Sequence, residues 1–115
     1  MENLEIISVR EVLCGSSSTY FIRVRRGEGV TDLEVGSVDV IHQLNMVFGV
    51  PYHDEEPHAD MESLEIVWLR EVPCGEKSLF MITLKRGDAE AEIEVPTNSA
   101  NILHTLLLVP FIEED

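Results

Sequence analysis

MENLEIISVREVLCG, Met1 to Gly15, recurs as MESLEIVWLREVPCG, Met61 to Gly75, and this recurrence decides how the rest of the chain reads. From Met1 to Val35, roughly 16 residues are identical to those found 60 positions later, far above chance for unrelated segments. The sequence therefore predicts two copies of one structural unit. Residues 1–49 form repeat one, residues 50–60 an acidic linker and residues 61–115 repeat two. A unit of about 55 residues is marginal as an independent fold, while 115 residues can bury one ordinary core. The expected organisation is a single domain, 1–115, in which the copies share a core about a pseudo-two-fold axis, as a gene-fused homodimer would.

Each copy reads as three strands followed by a helix. β-branched and aromatic runs separated by turn residues place strands at about Leu4 to Leu13, Thr19 to Arg26 and Val30 to Val35, and again at about Leu64 to Val72, Leu79 to Arg86 and Ala89 to Val95. Helices are expected at about Val38 to Phe48 and Asn98 to Val109. Ser37 and Thr97 serve as N-caps, Gly49 follows the first helix and Pro110 stops the second. Ile41, Leu44, Val47 and Phe48 line one stripe, and Ala100, Leu103, Leu106 and Leu107 line the other, so each helix can cover a sheet face. Pro51-Tyr52 aligns with Pro110-Phe111, so both aromatics are expected to dock on the core. The predicted fold class is α+β: a tandem duplication of a βββα unit giving a six-stranded, mainly antiparallel sheet or half-barrel with two packed helices.

Hairpin register follows from the turns. A two-residue loop with Gly first, Gly27-Glu28, sets Ile22 opposite Leu33, Tyr20 opposite Val35 and Arg23 opposite Asp32. Gly87-Asp88 does the same for Ile82 and Ile93, Phe80 and Val95, and Lys85 and Glu90. Strict alternation along the first strand puts Leu4, Ile6 and Val12 on one side and Ile7, Val9 and Leu13 on the other, so that strand is expected to be covered on both faces. Trp68 stands where the first copy has Ser8. It either fills the junction between copies, beside Arg10 and Arg70, or presents an exposed aromatic contact.

With 22 acidic and 8 basic residues the net charge is -14, divided as 11 acidic and 4 basic residues in each half, 1–60 and 61–115. Such a field repels nucleic acid and anionic membrane surfaces and favours a basic protein partner. No apolar run is long enough to span a bilayer and the N-terminus lacks a signal-peptide pattern, so a cytoplasmic protein with free thiols at Cys14 and Cys74 is expected. The outer sheet face is expected to carry Asp32, Glu34, Glu90, Glu92 and Glu94, joined by Asp54, Glu55 and Glu56 of the linker, as a partner-binding acidic surface.

Catalytic signals are weak. Cys14 and Cys74 have no base at productive spacing, and Arg10 and Arg70 lie four residues upstream on an extended strand. His42, His53, His58 and His104 fit no zinc pattern. Glu92 and Glu94, about 6.8 Å apart by strand rise, belong to a solvated face. No catalytic, cofactor or metal residue is expected. The leading expectation is a non-enzymatic interaction module, monomer or homodimer, whose acidic surface engages a basic partner, one version being an inhibitor that imitates nucleic acid, as in phage or mobile-element anti-defence proteins. The alternatives are a small-ligand binder or enzyme with its site in the crevice between repeats, and an assembly or chaperone subunit.

Overall fold

The computed structural model describes residues 3–54 and 62–112. Along the chain run β1 (Leu4–Cys14), β2 (Ser17–Arg26), β3 (Gly29–Val35), α1 (Val38–Met46), β4 (Leu64–Cys74), β5 (Lys77–Arg86), β6 (Ala89–Val95) and α2 (Thr97–Thr105). The fold is α+β. Six strands form one open sheet in the order β3-β2-β1-β4-β5-β6, with every neighbouring pair antiparallel. No helix among the described residues is long and apolar enough to cross a membrane.

The β2–β3 and β5–β6 hairpins have the register the turns imply. Tyr20 pairs with Val35, Ile22 with Leu33 and Arg23 with Asp32, while Phe80 pairs with Val95, Ile82 with Ile93 and Lys85 with Glu90. Gly27 and Gly87 hold φ of 60° and 58°, the conformation a two-residue loop of this kind needs at its first position.

β1 departs from strict alternation. A register shift between Ile6 and Ser8 leaves Ile7 as an extra residue, a β-bulge, and the side-chain alternation resets after it. Leu4, Ile6 and Val9 are thereby buried on the helix-covered face, not divided between two faces, and Leu13 projects from the hairpin end, 77% exposed. β4 repeats the device: its shift lies between Ile66 and Trp68, and Leu64, Ile66 and Leu69 are buried together. Burying each such aliphatic side chain contributes roughly 1.5–3 kcal/mol.

The sheet is joined at its centre by a short ladder, Leu4 with Ile66, Glu5 with Glu65 and Ile6 with Leu64. Beyond it, the chain leaving each helix returns to the open edge of a central strand. Val9 N–H donates to Pro51 O (3.0 Å) and His53 N–H to Val9 O (3.0 Å), and Leu69 N–H donates to Pro110 O (2.8 Å) and Ile112 N–H to Leu69 O (2.8 Å). Tyr52 and Phe111 therefore form matching parallel bridges, to Val9 and Leu69. Tyr52 packs against the core, while Phe111 remains 38% exposed beside Phe80 and His104.

Both helices are shorter than the apolar stripes imply. They end at Met46 and Thr105, because Val50 N–H turns back to Leu44 O and Val109 N–H to Leu103 O. Val47 and Leu106 consequently point away from the core, 70% and 73% exposed, and Pro110 lies well past the helix it was expected to stop. Ser37 is the N-cap residue of α1 but its side chain makes no capping bond. Pro96 is the N-cap of α2, and Thr97 is its first residue.

The halves also exchange polar contacts. Arg26, at the end of β2, donates to Leu107 O just beyond α2, and Arg86, at the end of β5, donates to Phe48 O just beyond α1. Each guanidinium thus neutralises carbonyls at the C-terminal, negative end of the helix from the opposite half. Ser99 of α2 donates to Glu34 O on the free edge of β3. The two edge strands curl toward each other, and Gly36, Ser37, Val95 and Pro96 line one cleft between them.

Candidate functional site

The outer face of the sheet, turned away from the helices, is built of three rows that the strand registers align. The first runs Val30, Arg25, Glu5, Glu65, Lys85, Glu90 across all six strands. The second is Asp32, Arg23, Ser8 in the first half and Trp68, Thr83, Glu92 in the second. The third is Glu34, Phe21, Arg10 and Arg70, Met81, Glu94. Strand periodicity brings these residues to one face, since all but Val30 and Glu90, at the hairpin ends, stand next to a buried core residue.

Asp32 and Glu34 therefore lie on edge strand β3, and Glu90, Glu92 and Glu94 on the opposite edge, β6, all on the outer side. The acid is not continuous between them. Arg10, Arg23, Arg25, Arg70 and Lys85 share the face, and three ion pairs hold among the described residues: Arg23 with Asp32 (2.9 Å), Arg25 with Glu5 (3.0 Å) and Arg70 with Glu92 (2.8 Å). Asp32 and Glu92 are engaged in this way, whereas Glu34, Glu90 and Glu94 belong to none of the three. The hydrogen bond from Arg23 holds the Asp32 carboxyl below the usual carboxylate range. A hydrogen bond from Ser63, then one from Arg25, does the same for Glu5.

Asp54 is exposed after the Tyr52 bridge. Glu55, Glu56 and His58 lie outside the described residues. Trp68 and Arg70 sit two and four residues beyond the Leu64–Ile66 part of the central ladder, and Arg10 occupies the matching place on β1. Arg70 reaches diagonally across two strands to Glu92 with two nitrogen donors, 2.9 and 2.8 Å. Cys14 and Cys74 are free and exposed at the ends of the β1–β2 and β4–β5 hairpins. His42 and His53 are exposed, and the His104 ring packs on Phe111 at 4.6 Å between centroids. Among the described residues no group of three or more His, Cys, Asp and Glu is arranged to hold a metal.

Among the described residues two cavities open beside these rows. One, of about 370 Å³, lies in the crevice between residues 49–53 and 62–64, over the β1 bulge, with Ser8, Arg23, Arg25, His53 and Arg86 among its walls. The other, of about 420 Å³, lies on the outer face of the second half, lined by Trp68, Arg70, Thr83, Glu90, Ala91, Glu92 and Ile112. Sequence reasoning singles out Trp68, Glu90 and Glu92 separately and misses Thr83 and Ile112, which join them. The available signal is the 60-residue offset, which sets Thr83 where the first half has Arg23.

Comparison with protein-family models, with curated proteins and with solved structures finds no match to this chain.

Proposed function

We propose that this chain is a non-enzymatic acidic interaction module that engages a basic protein partner through the outer face of its sheet. The observation that carries this reading is the placement of Glu34 on β3 and of Glu90 and Glu94 on β6, exposed and outside the three ion pairs of the face. Arginine balances Glu5, Asp32 and Glu92 on that face, and at the sheet margins Glu34, Glu90 and Glu94 remain outside those pairs. There they attract a cationic surface at long range and raise the association rate. A nucleic-acid-binding protein is the partner class that a net charge of -14 suits best, and imitation of nucleic acid is the corresponding mode of inhibition.

The test compares the chain with a variant carrying Glu34→Gln, Glu90→Gln and Glu94→Gln, each used to capture proteins from host lysate and eluted by a salt gradient. A basic protein that is held by the unmodified chain, displaced by duplex DNA and released at lower salt from the variant is the expected result. Equal retention by both would remove this face from consideration.

A second reading takes the crevice of about 370 Å³ as a small-ligand site. Its mixed walls, with three arginines beside Glu5 and Glu62, suit a polar ligand. We also read the matched registers of the two halves as the product of tandem duplication of one βββα unit, folded as a single domain.

A further inference from the structure

We infer that the cavity over Thr83 is a receptor for one basic side chain, arginine or lysine, of a protein partner. The inference rests on the interaction reading above and names the place where that interaction is anchored.

The first half supplies the template. There Arg23 stands between Ser8 and Asp32 and lays its guanidinium on the Asp32 carboxylate, with Nε and Nη2 donating at 2.9 and 3.3 Å. Arg10 adds its positive field at the same carboxylate. In the second half Glu92 takes the place of Asp32 and Arg70 that of Arg10, but the residue between Trp68 and Glu92 is Thr83. Glu92 keeps one cation, Arg70, and the space filled by Arg23 in the first half is part of an open cavity of about 420 Å³.

Two further exchanges act in the same direction. Glu90 stands where the first half has Val30, adding a second carboxylate to the rim, and Trp68 stands where it has Ser8, adding an indole. An internal cation is removed, an anion is added and an aromatic face is added; all three changes favour an external cation. Thr83 is 5% exposed and lines the cavity, and its hydroxyl enters no side-chain hydrogen bond among the described residues, so it is open to a donor that enters there. Lys85 lies opposite Glu90 on β5, but the two form no ion pair among the described residues. An entering ammonium or guanidinium donates to Glu90 and to Thr83 Oγ1 with its charge beside the indole. Ile112 and the Trp68 ring lie beside its aliphatic stem.

Trp68 is the chain's one tryptophan, so its fluorescence reports this cavity alone. The probes are N-acetyl-arginine amide and N-acetyl-lysine amide, with N-acetyl-norleucine amide as the neutral control of similar length. A saturable fluorescence change is expected with the two cations and not with the control. Thr83→Arg rebuilds the arrangement of the first half and is expected to abolish the response with an unchanged circular dichroism spectrum. Glu90→Gln is expected to weaken half-saturation about fivefold. No saturable response, a response equal to that of norleucine, or an unaltered response in Thr83→Arg would overturn the proposal. If Thr83→Arg does not fold, Glu90→Gln decides, and unchanged half-saturation overturns it. A silent tryptophan in a chain that still captures a basic protein overturns the cavity alone. A responsive tryptophan with no basic protein captured upholds the cavity and overturns the partner reading.

Discussion

Leu108 and Gly49 occupy the same turn in the two halves, and only one of them suits it. Both hold positive φ, 57° and 69°, where the chain leaving each helix folds back onto it. A residue with a Cβ sits there at a cost of about 1 kcal/mol that glycine avoids. Leu108 is 64% exposed, so little packing offsets the strain. Leu108→Gly is expected to raise stability by about 1 kcal/mol in urea denaturation; an unchanged or lower midpoint would show that the turn is unstrained. Gly49 is legible as a helix-terminating residue, whereas nothing about a leucine signals left-handed backbone. The bulge at Ile7 is silent in the sequence for a similar reason. An extra residue flanked by apolar neighbours leaves no mark on the pattern, yet it decides that Val9 joins Leu4 and Ile6 in the core.

At the scale of elements, hairpins are readable and helix ends are not. A two-residue loop pins its strands residue by residue, so Arg23 opposite Asp32 and Lys85 opposite Glu90 follow from the turn residues alone. The helices end where long-range contacts dictate, at Met46 and Thr105, and a carbonyl just past each end is met by an arginine distant in sequence. The two arginines are not equivalent. Arg86 also donates through Nε to Glu62 O (3.0 Å), while Arg26 Nε is buried with no partner among the described residues. Arg86→Met is therefore expected to lower stability by about 1–2 kcal/mol, from lost charge-assisted hydrogen bonds at a helix C-terminus. Arg26→Met is expected to cost less, because it also removes an unsatisfied donor. Thermal or urea unfolding of both variants gives the comparison, and a larger loss for Arg26→Met would contradict this account.

At the scale of the molecule, the halves depend on each other. They share one sheet through the Leu4–Ile6 and Leu64–Ile66 ladder, each helix end takes a guanidinium from the other half, and α2 bonds the edge of β3. Residues 1–60 alone lack all three supports and carry about 60 residues' worth of core, which is marginal. Expressed separately, they are expected to be unfolded as a monomer or to pair as a two-fold dimer that re-forms the central ladder. Light scattering with circular dichroism distinguishes these states from a folded monomer at low micromolar concentration, which would refute the dependence. By itself the sequence determined the elements, the registers of both derived hairpins and the acidic outer positions, because apolar period and turn chemistry are local properties. Tertiary structure alone decided that β1 and β4 lie at the centre, that the bulge resets one face, that the arginines cross between halves and that Trp68, Thr83 and Glu90 border one cavity. These depend on contacts between residues far apart in the chain, and no local pattern encodes which distant partner a side chain will meet.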